Sequence, residues 1–136
     1  MARFEFYGGR PPAGQRLCAL TEIDNPGAKA FRFREGDMLF SGFVVRNGEL
    51  VRGFVDRCPH AGYPLGYYGT DQFLTRAGDR ILCAAHGALF TLQGEGVSNP
   101  CEGEWLIPWE VEVRDGDIFT ADYARPPPRA APSRVG

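Results

Sequence analysis

Short apolar runs separated by turn-forming residues dominate the chain, and long helical patterns are hard to find. Residues 17–22 (Leu17-Cys18-Ala19-Leu20-Thr21-Glu22) predict a first strand, followed by the dense turn signal Asp24-Asn25-Pro26-Gly27. Residues 30–34 alternate apolar and polar, the mark of a half-buried strand. The clearest hairpin runs from Phe43-Val44-Val45-Arg46 through Asn47-Gly48 into Glu49 to Val55; Asn and Gly both tolerate positive φ, so the turn is expected there. Short strands are also predicted at 80–83 and 89–92. A last pair, 105–113 and 117–121, is joined at Asp115-Gly116, with Pro108 marking an edge or a bulge. Glycine (18) and proline (11) are both disfavoured inside helices, which strengthens the all-β reading.

The length of 136 residues corresponds to one domain, long enough for one hydrophobic core. Residues 124–136, rich in Pro, cannot pack a core and are expected to be disordered. A net charge of −2 and the absence of any Lys/Arg run argue against a nucleic-acid footprint. No apolar stretch is long enough to cross a membrane as a helix. Met1 to Gly9 lacks an apolar signal-peptide core, so a cytoplasmic location is the expectation. In that compartment four cysteines point to metal ligation or free thiols rather than disulfides.

One pattern carries chemistry. Cys58-Pro59-His60 is followed, after 22 residues, by Cys83-Ala84-Ala85-His86. Each half offers a soft thiolate and an imidazole at the end of a predicted strand. The chain has only two histidines, and each lies within three residues of a cysteine. Such pairs suit a tetrahedral zinc, or a [2Fe–2S] cluster with two Cys on one iron and two His on the other. Zinc sites more often show Cys-x-x-Cys or His-x-x-x-His pairs. Taken singly, a cysteine is most often a small buried hydrophobe.

Cys58-Pro59-His60-Ala61-Gly62 and Cys83-Ala84-Ala85-His86-Gly87-Ala88-Leu89-Phe90 resemble the two ligand loops of Rieske proteins. The resemblance extends to the strand pair from Val44 to Arg57 and to Ser98-Asn99-Pro100-Cys101-Glu102-Gly103, similar to a proline-containing loop that covers the cluster. It implies a small antiparallel β-sandwich with an inserted two-loop cluster-binding subdomain, a Rieske domain over 1–123 with its subdomain at about 57–104. It also implies that Cys58 and Cys83 ligate a buried iron and that His60 and His86 ligate an outer one. Gly62 and Gly87 would give the backbone room beside the cluster, and Pro100 would stiffen the covering loop. The segment between the ligand loops is longer than in many small Rieske ferredoxins, and Tyr67 to Gly78 is expected to form a surface excursion.

The same resemblance narrows the type. High-potential members carry an extra disulfide, whose cysteines would fall at Tyr63 and Ala85, and hydroxyl residues where this chain has Ala88 and Phe90. Their absence implies a potential near the low end of the Rieske range, roughly −150 mV. With no third histidine, the chain cannot build the two-His, one-carboxylate iron site of Rieske oxygenases. No strand–Gly-x-Gly-x-x-Gly–helix unit for flavin or nicotinamide is present. A ferredoxin-like one-electron carrier between a reductase and an oxygenase or other redox enzyme is therefore expected. The alternatives are a redox-sensing, regulatory or assembly subunit and a structural zinc module. Cys18 is read as a core residue, Cys101 as a packing residue of the covering loop, and Tyr63, Trp105 and Trp109 as packing residues.

Overall fold

The computed structural model of the chain describes residues 11–59, 65, 72–84 and 87–121. The order of elements is β1 (Arg16–Ala19), a 3-10 turn (Leu20–Glu22), β2 (Gly27–Glu35), β3 (Met38–Asn47), β4 (Leu50–Val55), β5 (Ile81–Leu82), β6 (Leu89–Phe90), β7 (Val111–Arg114) and β8 (Asp117–Thr120). The strands form an antiparallel sheet β2-β3-β4, a second antiparallel sheet β1-β8-β7, and the ribbon β5-β6. The all-β expectation holds. No helix among the described residues is long and apolar enough to cross a membrane. The tail from 124 lies outside the described residues.

Three local expectations are corrected. The first strand stops at Ala19 instead of continuing to Glu22. Here the Ala19 N–H donates to the Glu22 carboxylate, and Arg46 Nη1 donates to the carbonyls of Leu20 and Ile23, so the chain curls rather than extending the ladder. The long hairpin turns one residue later than expected. Asn47 pairs with Leu50, which leaves Gly48 and Glu49 as the loop, with positive φ (+63°) at Gly48 alone, the pattern of a type II′ turn. The Asn47 side chain is employed elsewhere: its Nδ2 donates to the Gly78 carbonyl. Residues 105–110 are not a strand but make isolated bridges, Glu95 to Trp105 and Phe54 to Pro108. Proline has no N–H for a ladder, and Trp109 turns into the core. By contrast, Asp115 and Gly116 form the expected two-residue turn, with φ of +50° and +81° and Arg114 paired to Asp117.

The middle sheet is covered on both faces, and this positions the site. Along β3, Phe40 and Val44 point to one side, joining Cys18, Ile23, Val55, Trp109 and Ile118. Phe43 and Val45 point to the other, joining Phe54, Phe73, Phe90 and the cysteines of the loops. A strand alternates its side chains between faces, so the unbroken buried run Gly42 to Val45 requires a layer on each side. The Trp109 ring lies within 5.0–6.2 Å, centroid to centroid, of Phe31, Phe33 and Phe40. It fits because β3 and β4 carry glycine beneath it. A Cβ at Gly42 would stand 2.6 Å from Trp109 Cε3, and one at Gly53 would stand 2.4 Å from the Trp109 carbonyl oxygen.

Candidate metal centre

β4 delivers the first loop. The Asp56 N–H donates to the Ser41 carbonyl, anchoring the strand end on β3. The Asp56 side chain then reaches forward, where Oδ1 accepts from the Leu65 N–H at 2.7 Å and Oδ2 contacts Ser41 Oγ at 3.5 Å. Cys58 follows two residues on, with its thiol buried in the apolar cluster.

β5 delivers the second loop. The Cys83 N–H donates to the Ala88 carbonyl and the Gly87 N–H returns to the Cys83 carbonyl, a tight reversal that places Gly87 at φ +76°. That φ by itself calls for glycine, a conformational reason that stands beside the room expected for the cluster. The two loops are tied through one residue. Leu65, fully buried, donates its N–H to Asp56 and accepts from the Ala84 N–H at 2.7 Å.

A third loop, residues 96–104, closes over the pair. The Leu89 N–H donates to Ser98 Oγ, and the Val97 N–H donates to the Leu89 carbonyl, fastening this loop to β6. Cys101 is held within it, donating its N–H to the Ser98 carbonyl and accepting from the Glu104 N–H. Pro100, preceded by a cis peptide, is exposed, whereas Cys101 next to it is buried. Cys101 Sγ lies 3.7 Å from Cys58 Sγ.

The structure thus gathers Cys58, Cys83 and Cys101 in one apolar cluster, with exposures of 1%, 0% and 0%. His60, His86, Gly62, Tyr63 and Ala85 lie outside the described residues. Cys18 sits on the other side of the middle sheet in the second cluster, where burial pushes its thiol pKa up. Trp109 packs in that same cluster. The segment expected as a surface excursion is anchored in its described part, 72–78: Phe73 is buried and stacks on Phe43 at 4.2 Å with rings 5° from parallel. Asp56 and the Cys58–Cys101 contact are not apparent from the sequence. The available hint is an acidic residue two positions before a candidate ligand, at the end of an apolar strand.

This donor set fits an iron–sulfur cluster. Two cysteines, one in the loop after β4 and one directly after β5, are buried in the same apolar cluster, and each is followed by a histidine within three residues. The profile of the Rieske [2Fe–2S] domain family matches residues 15–120, so the chain belongs to that family, whose members carry a Rieske-type [2Fe–2S] cluster. No curated protein matches the sequence. Among solved structures, the ferredoxin of carbazole 1,9a-dioxygenase from Nocardioides aromaticivorans IC177 is similar, with a TM-score of 0.63 and 24% identity, covering 81% of this chain and 98% of that one. A chain in the complex of reduced oxygenase and oxidized ferredoxin in carbazole 1,9a-dioxygenase shares 27% identity at a TM-score of 0.61, covering 82% of this chain and 94% of that one. The quaternary ammonium Rieske monooxygenase CntA is similar over 88% of this chain but only 33% of its own, with 18% identity and a TM-score of 0.61.

Proposed function

We propose that the protein is a one-electron carrier in which Cys58, His60, Cys83 and His86 hold a Rieske-type [2Fe–2S] cluster. The observation that carries this is that the two cysteines following β4 and β5 are buried together in one apolar cluster. When bound, such a cluster takes up and releases one electron, and its imidazole ligands leave it less negative than four thiolates would. The chain's own residues supply the setting. Phe54, Phe73, Phe90 and Leu106 exclude water from the thiol side. The Asp56–Leu65–Ala84 hydrogen bonds hold the two loops in register. Gly87, Gly62 and Pro100 shape the loops around the ligands.

The potential of this carrier is low, roughly −150 mV. Ala88 and Phe90 are both fully buried beside the loops and bring no hydroxyl that would stabilise the reduced form. Its partners are a reductase that supplies electrons and an oxygenase or similar redox enzyme that accepts them. The likeness to the carbazole dioxygenase ferredoxin and to the ferredoxin–oxygenase complex supports this reading.

The test begins with an absorption spectrum of anaerobically purified protein and electron paramagnetic resonance after dithionite. A red-brown protein whose reduced signal has an average g below the free-electron value is expected. A colourless protein with stoichiometric zinc would refute the reading. Potentiometric titration then checks the potential, and a midpoint well above zero would refute the low-potential assignment. Salt-sensitive, micromolar binding to redox partners is expected of a carrier; stable co-purification with one partner would favour a regulatory subunit.

A further inference from the structure

We propose that the Cys101 thiol donates a hydrogen bond to the Cys58 sulfur and thereby raises the potential of the cluster that Cys58 helps to hold. This rests on the cluster assignment above. Cys101 Sγ lies 3.7 Å from Cys58 Sγ, and both side chains are shut away from solvent. In the free chain either sulfur can be the donor. A cysteine bound to iron is a thiolate, so Cys58 then only accepts and the proton belongs to Cys101. Burial leaves no water to compete for that proton.

The direction of the effect follows from charge. Reduction adds an electron, negative charge on the ligand sulfurs grows, and a donor aimed at one of them binds the reduced form more strongly. Hydrogen bonds to cluster sulfurs are among the features that set the potential. Ala88 and Phe90 provide no hydroxyl for this role, whereas Cys101 brings an S–H from the covering loop. Because S–H is a weak donor, the effect is modest. Cys101 acts through Cys58 and is a positioning residue in this sense.

The loop does not depend on the thiol for its shape. Its backbone is fixed by the Cys101 N–H to the Ser98 carbonyl, the Glu104 N–H to the Cys101 carbonyl and the Leu89 N–H to Ser98 Oγ. Gly96 packs flat against the Cys101 carbonyl, where a Cβ would come within 2.0 Å of the oxygen. Removing Sγ therefore takes away the donor while the backbone that carries it stays in place.

The experiment compares wild type, Cys101→Ala and Cys101→Ser, each reconstituted anaerobically, by redox titration. Cys101→Ala is expected to change the one-electron equilibrium constant about threefold to tenfold toward the oxidised form, a fall of about 28 to 59 mV at 59 mV per decade. Cys101→Ser, which keeps a donor, is expected to restore at least part of this. Infrared difference spectra, reduced minus oxidised, provide a second readout. One S–H band should move to lower frequency on reduction and be missing in Cys101→Ala, while the Cys18 band stays still. An intact [2Fe–2S] spectrum with an unchanged midpoint in Cys101→Ala would overturn the assignment. If neither variant retains a cluster, a wild-type S–H band that ignores reduction overturns it equally, and one that shifts supports it. Wild-type protein without a [2Fe–2S] spectrum would instead refute the carrier reading, and the assignment with it.

Discussion

Replacing Asp56 by alanine should loosen both ligand loops at once. Its Oδ1 accepts the Leu65 N–H at 2.7 Å, and the Leu65 carbonyl in turn accepts the Ala84 N–H beside Cys83. Leu65 is fully buried, so in Asp56→Ala its N–H has no water to turn to. A hydrogen bond to a charged acceptor contributes about 1.5–3 kcal/mol, and a stranded buried donor costs a similar amount. Asp56 is half-buried, which argues for the lower part of that range, about 2 kcal/mol. That is a large fraction of the roughly 5–15 kcal/mol that holds a domain together. At about 4 °C per kcal/mol for a domain of this size, Tm should fall by about 8 °C. If loop opening precedes cluster release, release into a chelator should quicken about thirtyfold, since about 1.4 kcal/mol is tenfold. Asp56→Asn keeps an acceptor oxygen toward Leu65 and an amide toward Ser41, so it should lose about half as much. Thermal unfolding and the bleaching of visible absorption under chelator are the assays. An Asp56→Ala protein that matches wild type in both would show that the Asp56–Leu65 bond does not tie the loops.

Three further outcomes follow from the packing. Gly42→Ala should destabilise by about 1–3 kcal/mol by denaturant unfolding, because its Cβ would meet the Trp109 ring at 2.6 Å; a neutral result would mean that Trp109 is free to shift. Phe73→Ala should cost about 3–5 kcal/mol, as it empties a buried site stacked on Phe43, and a loss under 1 kcal/mol would mean that the segment is not anchored there. Cys18 gives a pH dependence. Burial, reinforced by Glu22, raises its folded pKa, so the unfolded thiol ionises first, near pH 8.5. Its stabilisation is complete below that pH and declines as pH rises toward the folded value. The stability gap between wild type and Cys18→Ala, measured by denaturant unfolding, should therefore narrow above about pH 8.5; a constant gap up to pH 10 would contradict the shift.

Local chemistry was readable directly from the residues. Asp115 and Gly116 both tolerate the positive φ that a two-residue hairpin turn requires, and both adopt it. The alternation over 30–34 and the run ending at Val55 place strands because side-chain period is a property of the backbone itself. Cys58 and Cys83 stand out because thiolate and imidazole pairs at strand ends have few other uses. Tertiary structure decided wherever a residue's partner is distant in the chain. Arg46 drew the carbonyls of Leu20 and Ile23 out of a ladder that the local pattern favoured, and Asn47 was taken from its turn by Gly78. Trp109 turned inward over Gly42 and Gly53, a fit that depends on two strands more than fifty residues upstream. The same holds for the site. Sequence spacing marks Cys58 and Cys83 as candidate ligands, but burial, the Asp56–Leu65–Ala84 tie and the Cys101 thiol 3.7 Å from Cys58 exist only once the three loops pack together. Hydrogen bonds and van der Waals contacts act over a few ångströms, and only the folded chain brings these residues within that reach.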